Sequence, residues 1–127
     1  MKAIIIEDEK RAQIYLKGVI NQVAPKIEVV AICDDLPSGV LAIRKFQPEI
    51  VFLDIEMPKY NGLEIVNFFG KDEIQFNIIF TTAYNQYAIQ AFKTSALDYL
   101  LKPIDPEELK ETIERYRDWE TDRKSVV

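Results

Sequence analysis

Histidine is absent from this 127-residue chain, and that absence removes more chemistry than any other feature of its composition. Without imidazole the chain can build neither a Ser-His-Asp nor a Cys-His nucleophile system, nor the usual zinc sites. Any metal here must be a hard cation held by oxygen ligands. Phosphohistidine chemistry would need its histidine from a partner. The single cysteine, Cys33, allows no intrachain disulfide, and its apolar surroundings from Val29 onward mark it as a small core residue. Positive charge is in deficit, with 16 Lys and Arg against 21 Asp and Glu, so the basic footprint of a nucleic-acid binder is missing. No apolar run approaches transmembrane length. Met1-Lys2-Ala3 leads into a short strand and not into a signal-peptide pattern, so a soluble cytoplasmic protein is expected.

What is present is a globular balance, 48% apolar and 29% charged, in a length that suits one domain with a single core. Strands are expected at Ala3 to Ile6, Ile27 to Cys33, Ile50 to Leu53, Phe76 to Thr82 and Ala96 to Leu101. Between them lie stretches with apolar residues at helical spacing. The first carries Ala12, Tyr15, Leu16, Val19, Ile20 and Val23. The second opens at Leu36-Pro37-Ser38, carries Val40, Leu41, Ile43 and Phe46, and stops before Pro48. The third runs from about Leu63 with Ile65, Val66, Phe68 and Phe69, closed by Gly70. A short fourth holds Tyr87, Ala88, Ala91 and Phe92. The fifth begins at Asp105-Pro106, an N-cap followed by proline at the first helical position, and lines its inner face with Leu109, Ile113 and Tyr116. Strands and helices in alternation imply an α/β fold, a doubly wound parallel sheet with helices on both faces. The periodicity fails after Arg117. Residues 1–117 therefore read as the domain, and 118–127 as a frayed tail, a cut linker or a cloning remnant.

In such a sheet, ligands bind beyond the carboxyl ends of the strands, where strand order reverses. Strand one ends in Glu7-Asp8-Glu9, strand two in Asp34-Asp35, strand three in Asp54, strand four in Thr81-Thr82 and strand five in Lys102. If strands one and three are neighbours, Glu7, Asp8 and Asp54 converge. Crowded carboxylates repel unless a cation joins them, and Mg²⁺ suits because it takes oxygen ligands and keeps several waters. The same cation offsets charge when a carboxylate attacks an incoming phosphoryl group. Lys102 and the Thr82 hydroxyl could then hold phosphoryl oxygens. Each feature alone has a plainer reading: an acidic pair as a helix N-cap, a Lys-Pro as a solvated loop, a strand-terminal Thr as a satisfied edge residue. It is their joint occurrence at the ends of strands one, three, four and five that favours a site.

The motifs IIIEDE, FLDIEMPKYNG, FTTA and DYLLKP, in this order and spacing, resemble the receiver domain of bacterial two-component response regulators over about residues 2 to 117. The resemblance implies a flavodoxin-like five-stranded parallel sheet of order 2-1-3-4-5 with five helices. It also implies that Asp54 is the phosphoacceptor, charged from the phosphohistidine of a sensor histidine kinase. Asp8 and Asp54 would bind Mg²⁺ directly, with the Glu56 backbone carbonyl as a third protein ligand and Glu7 acting through metal-bound water. Thr82 and Lys102 would contact the phosphoryl group, Tyr99 would be the aromatic switch, and Glu56 and Tyr84 would tune the lifetime of the phosphorylated state. A cis Lys102–Pro103 bond is implied as well.

The run TTAYNQYAIQAF…ALDYLLKP further resembles receivers attached to LytTR-type DNA-binding domains. DNA would then be reached only through an output domain that this chain lacks. A phosphorylation-dependent homodimer is expected through helix four, strand five and helix five. Ala88, Ala91 and Phe92 supply surface there, and Asp98 with Arg115 or Arg117 supplies charge. The plainer alternative packs the apolar residues inward and leaves the charges solvated. Three other functions compete with a signalling switch that is not an enzyme. A stand-alone phosphorelay shuttle uses the same chemistry. A Mg²⁺-dependent phosphatase with an aspartyl nucleophile often has a second Asp where this chain has Glu56. A flavin-binding module would want a Gly, Ser and Thr-rich loop after strand one, where three acids stand.

Overall fold

The computed structural model describes residues 1–70, 72–87 and 98–125, with the backbone alone at 87 and 117–125. Five strands, β1 (Lys2–Ile6), β2 (Glu28–Cys33), β3 (Ile50–Asp54), β4 (Asn77–Thr82) and β5 (Asp98–Leu101), form one sheet of order β2-β1-β3-β4-β5. Every pairing is parallel. The described helices are α1 (Lys10–Val23), α2 (Leu36–Phe46) and α3 (Pro106–Ser125), with 3₁₀ segments at Gly62–Phe68 and Asn85–Tyr87.

The two-residue period of the strands divides the core. Ala3, Ile5, Phe52 and Ile79 face α1 and α3, where Leu16, Val19, Ile20, Leu109 and Ile113 meet them. Ile4, Ile6, Val51, Leu53, Ile78 and Phe80 face the other way, against Leu36, Val40 and Ile43 of α2 and Ile65 of the 3₁₀ segment. β3 is buried at every position, which accounts for its unbroken apolar run. Cys33 is partly buried against the second cluster.

Local chemistry starts α2 and α3 where expected. Asp35 Oδ1 accepts the Ser38 N–H at 2.8 Å to cap α2, and Asp105 Oδ1 accepts the Glu107 N–H at 3.1 Å at the start of α3. Four details differ from the sequence pattern. The third helix is a 3₁₀ segment, opened by a capping box in which the Glu64 carboxylate accepts the Asn61 N–H at 2.7 Å and Asn61 Oδ1 accepts the Leu63 N–H at 2.7 Å. At a rise of about 2.0 Å per residue it carries the chain further per residue than an α-helix would. Leu41, one step off the inner stripe of α2, is 71% exposed. Tyr15 of α1 is largely exposed too, but its hydroxyl donates to the Ile104 carbonyl at 2.7 Å and ties α1 to the loop after β5. Finally, the backbone of α3 stays helical through Ser125, past the end of its apolar stripe, since no Gly or Pro lies between Glu107 and Ser125 to stop it. Most of the expected fourth helix, including Ala88, Ala91 and Phe92, lies outside the described residues.

Candidate functional site

Strand register assembles the site. Ile6 pairs with Leu53 across β1 and β3, so the next residues, Glu7 and Asp54, emerge side by side. Asp54 pairs with Thr81 and Thr82 with Leu101, which brings Thr82 and Lys102 to the same edge. Two further backbone bonds continue the ladder past the strands: Glu7 N–H to the Cys33 carbonyl at 2.9 Å and Lys102 N–H to the Thr82 carbonyl at 2.7 Å.

Carboxylate oxygens of Glu7, Asp8 and Asp54 all lie within 4.8 Å of one another, with Glu7 and Asp54 buried and Asp8 exposed. Lys102 reaches into the group, its Nζ 2.6 Å from Glu7 Oε1 and 3.4 Å from Asp54 Oδ1. The peptide bond that follows it, to Pro103, is cis. Burial and then the neighbouring Glu7 charge push the Asp54 carboxyl up to about 7, although Lys102 pulls the other way. Asp8, though exposed, is raised by the partial desolvation of its carboxyl and then by its contact with Glu7. Burial alone would lower the Lys102 ammonium, but the Glu7 hydrogen bond and the Asp54 charge outweigh it and the net shift is upward. One ammonium therefore leaves the three acids short of positive charge. A hard divalent cation with oxygen ligands fits that deficit, and Asp8 opens the group to solvent, where retained waters could complete the coordination.

The other expected residues occupy an adjoining corner. Thr82, fully buried, donates its hydroxyl to Glu56 Oε1 at 2.8 Å, so the Glu56 carboxylate stands apart from the three-acid group. Tyr84 donates its backbone N–H to Thr82 Oγ1 at 3.0 Å while its side chain is 54% exposed. Tyr99 is partly buried, with its hydroxyl 3.4 Å from Asn85 Oδ1. Asp98 pairs with Arg115 of the same chain and accepts from buried Thr112 at 3.2 Å, so these charges meet within the molecule.

For the acids after β2, the plainer reading holds. Asp35 caps α2 and Asp34 accepts from Gln13, and neither joins the cluster. The reverse is true after β1: Glu9 stands at the N-cap of α1 but its side chain makes no cap bond, while Glu7 turns into the site. Two supporting residues escaped the sequence reading. Buried Gln13 donates to the Glu7 carbonyl at 2.6 Å and to Asp34 Oδ1 at 2.7 Å, pinning the loop that carries the acids. Its signal was a polar residue on the same helical stripe as Leu16 and Ile20. Gly62 passes so close to the Asp54 carbonyl that a Cβ would sit 2.2 Å from its oxygen.

Residues 3–114 match the response regulator receiver domain family. The chain belongs to that family. Among curated relatives, the transcriptional regulatory protein BtsR of Escherichia coli K12 is 41% identical over 117 residues, 92% of this receiver and 48% of that protein. The sensory transduction protein LytT of Bacillus anthracis is 38% identical over 117 residues, covering 92% of the receiver and 47% of that protein. The receiver thus spans about half the length of the curated relatives it matches. Among solved structures, the response regulatory domain of mrkE from Klebsiella pneumoniae superposes with a TM-score of 0.84 at 30% identity, covering 95% of the receiver and 99% of that chain. The REC domain of AraT from Geobacillus stearothermophilus gives 0.82 at 26% identity, covering 97% of each. The sheet order and layering are those of the receiver fold.

Proposed function

We propose that the receiver takes a phosphoryl group onto Asp54 from the phosphohistidine of a sensor histidine kinase, and that the change in this corner switches an output. The observation that carries the reading is the convergence of buried Asp54 with Glu7, Asp8 and Lys102 at the ends of three strands. An Asp54 carboxylate oxygen attacks phosphorus, a P–O bond forms as the P–N bond breaks, and the electron pair leaves with the donor imidazole, which takes a proton from solvent. Lys102 neutralises the incoming oxygens, and Thr82 with its neighbouring backbone holds them. Mg²⁺, held by Asp8, Asp54 and the Glu56 carbonyl with Glu7 acting through water, would supply charge neutralisation between the two anions. Water later cleaves the acyl phosphate, so the chain is a switch with self-limited chemistry and no turnover substrate.

Residues 1–117 suffice for this role. The names of the relatives BtsR and LytT support a transcriptional output of LytTR type in the whole protein, with DNA contacted through that output. Among the described residues no helix is long and apolar enough to cross a membrane. A stand-alone phosphorelay shuttle would use the same site. An aspartyl phosphatase is disfavoured because the carboxylate two residues past Asp54 is bonded to Thr82.

The test is incubation with Mg²⁺ and a small phosphodonor such as acetyl phosphate, followed by intact-mass spectrometry. One labile phosphoryl group per chain, lost in Asp54→Asn, is the expected result. Unchanged labelling of that variant overturns the assignment, and multiple turnover of small phosphomonoesters would favour the phosphatase.

A further inference from the structure

Glu56 follows Asp54 by two residues, yet its carboxylate turns away from the other acids. A single oxygen, Oε1, accepts the Thr82 hydroxyl at 2.8 Å and lies 3.4 Å from the Ala83 backbone N–H. Thr82 Oγ1 is itself fixed as the acceptor of the Tyr84 N–H at 3.0 Å. A hydroxyl has one proton to give. Its alternative acceptor, the Tyr84 carbonyl, is 3.4 Å away, so the shorter bond to Glu56 is the favoured one.

A buried hydroxyl and a backbone N–H directed at one anionic oxygen form an oxyanion-binding corner. Here the chain fills that corner with its own carboxylate. We propose that Glu56 is an internal competitor for the phosphoryl group, a latch that occupies the Thr82 and Ala83 donors until phosphorylation displaces it. This rests on the reading of Asp54 as the acceptor. A phosphoryl oxygen on Asp54 can take the Thr82 proton only after Glu56 Oε1 releases it. The apparent affinity of the site for a phosphoryl group is therefore reduced by the fraction of molecules that are unlatched. Charge repulsion would act alongside, but the two effects differ in what they need. Repulsion needs only the charge, whereas the latch needs an acceptor atom in place.

That difference sets the experiment, on the full chain with Mg²⁺ and beryllofluoride, a mimic of the acyl phosphate, titrated by calorimetry. Glu56→Gln keeps a weaker, neutral acceptor and Glu56→Ala removes it, while both retain the backbone carbonyl. The expected affinity order is Ala above Gln above the parent, with Ala tighter by about tenfold, the strength of one charge-assisted hydrogen bond. In metal-free protein the Ala83 amide resonance should also move upfield in Glu56→Ala, as expected when its N–H loses an acceptor. Equal affinities for Gln and Ala would reduce the effect to repulsion and overturn the latch, and no gain in either variant would do the same. If folded parent and variants all bind Mg²⁺ but none binds beryllofluoride, the acceptor reading of Asp54 fails, and the competition falls with it.

Discussion

The ammonium of Lys102 is bonded to Glu7 at 2.6 Å, closer than to Asp54, which it reaches at 3.4 Å. Glu7 is buried and Lys102 only partly exposed, so the pair holds charge in a place where losing one partner is costly. Lys102→Ala is therefore expected to destabilise metal-free protein by about 2 kcal/mol in urea unfolding, discounted for the partial exposure of the lysine. Added Mg²⁺ should narrow the gap, because it replaces the missing charge. An equal loss with and without Mg²⁺ would show that the lysine contributes packing alone.

Stability of the metal-free protein should fall as pH rises through neutrality. Asp54 moves from an ordinary 3.8 to about 7 on folding, so the folded state binds its proton more tightly than the unfolded state. That contribution is fully present below 3.8 and is lost as pH rises through about 7. Asp8 shifts in the same direction. Asp35 shifts downward, so its contribution is lost only as pH falls below its ordinary 3.8, outside this window. Lys102 loses its contribution only as pH rises above 10.5. Between about pH 5 and pH 8, in chelator, the Tm should drop by on the order of 5 °C, and Asp54→Asn should flatten the slope. A Tm that rises over this interval would contradict the assignment of the shift.

Gly62→Ala should damage both fold and site. The added Cβ would lie 2.2 Å from the Asp54 carbonyl oxygen and 3.1 Å from the Ile55 Cα, and backbone atoms in a buried strand end cannot easily retreat. A loss of about 2 kcal/mol is expected, with weaker labelling of Asp54 as its carrier is displaced. Gly18, exposed in α1 with nothing within 4 Å of the place a Cβ would take, is the control. There alanine should stabilise by about 0.5–1 kcal/mol. Calorimetric melting of the two variants separates the cases.

Tyr84→Ala should shorten the phosphorylated lifetime. Its backbone is tied to Thr82 while its ring is 54% exposed, which leaves the ring free to cover a newly attached phosphoryl group against attacking water. Decay of the labelled species, followed by intact mass after removal of the donor, should quicken severalfold. A lifetime that is unchanged or longer would remove the shielding role.

Much of this protein was legible in one dimension because its signals are local. The apolar run Ile50 to Leu53 needs only a sheet covered on both faces, and Asp105-Pro106 needs only the geometry of a helix start. Order and spacing of the strand-end acids, Thr82 and Lys102 were likewise written in the chain, and neighbouring parallel strands were enough to bring them to one edge. Tertiary structure decided which acids belong together. Asp35 and Glu7 both follow strands, but one meets the Ser38 N–H of its own helix and the other meets an ammonium 95 positions away. The partner of Glu56, 26 positions along, and the close approach of Gly62 to Asp54 were also invisible to pattern. Periodicity reports which face a residue occupies, whereas a hydrogen bond between distant residues depends on ångström-scale register and loop path, and these exist only once the sheet has closed its core.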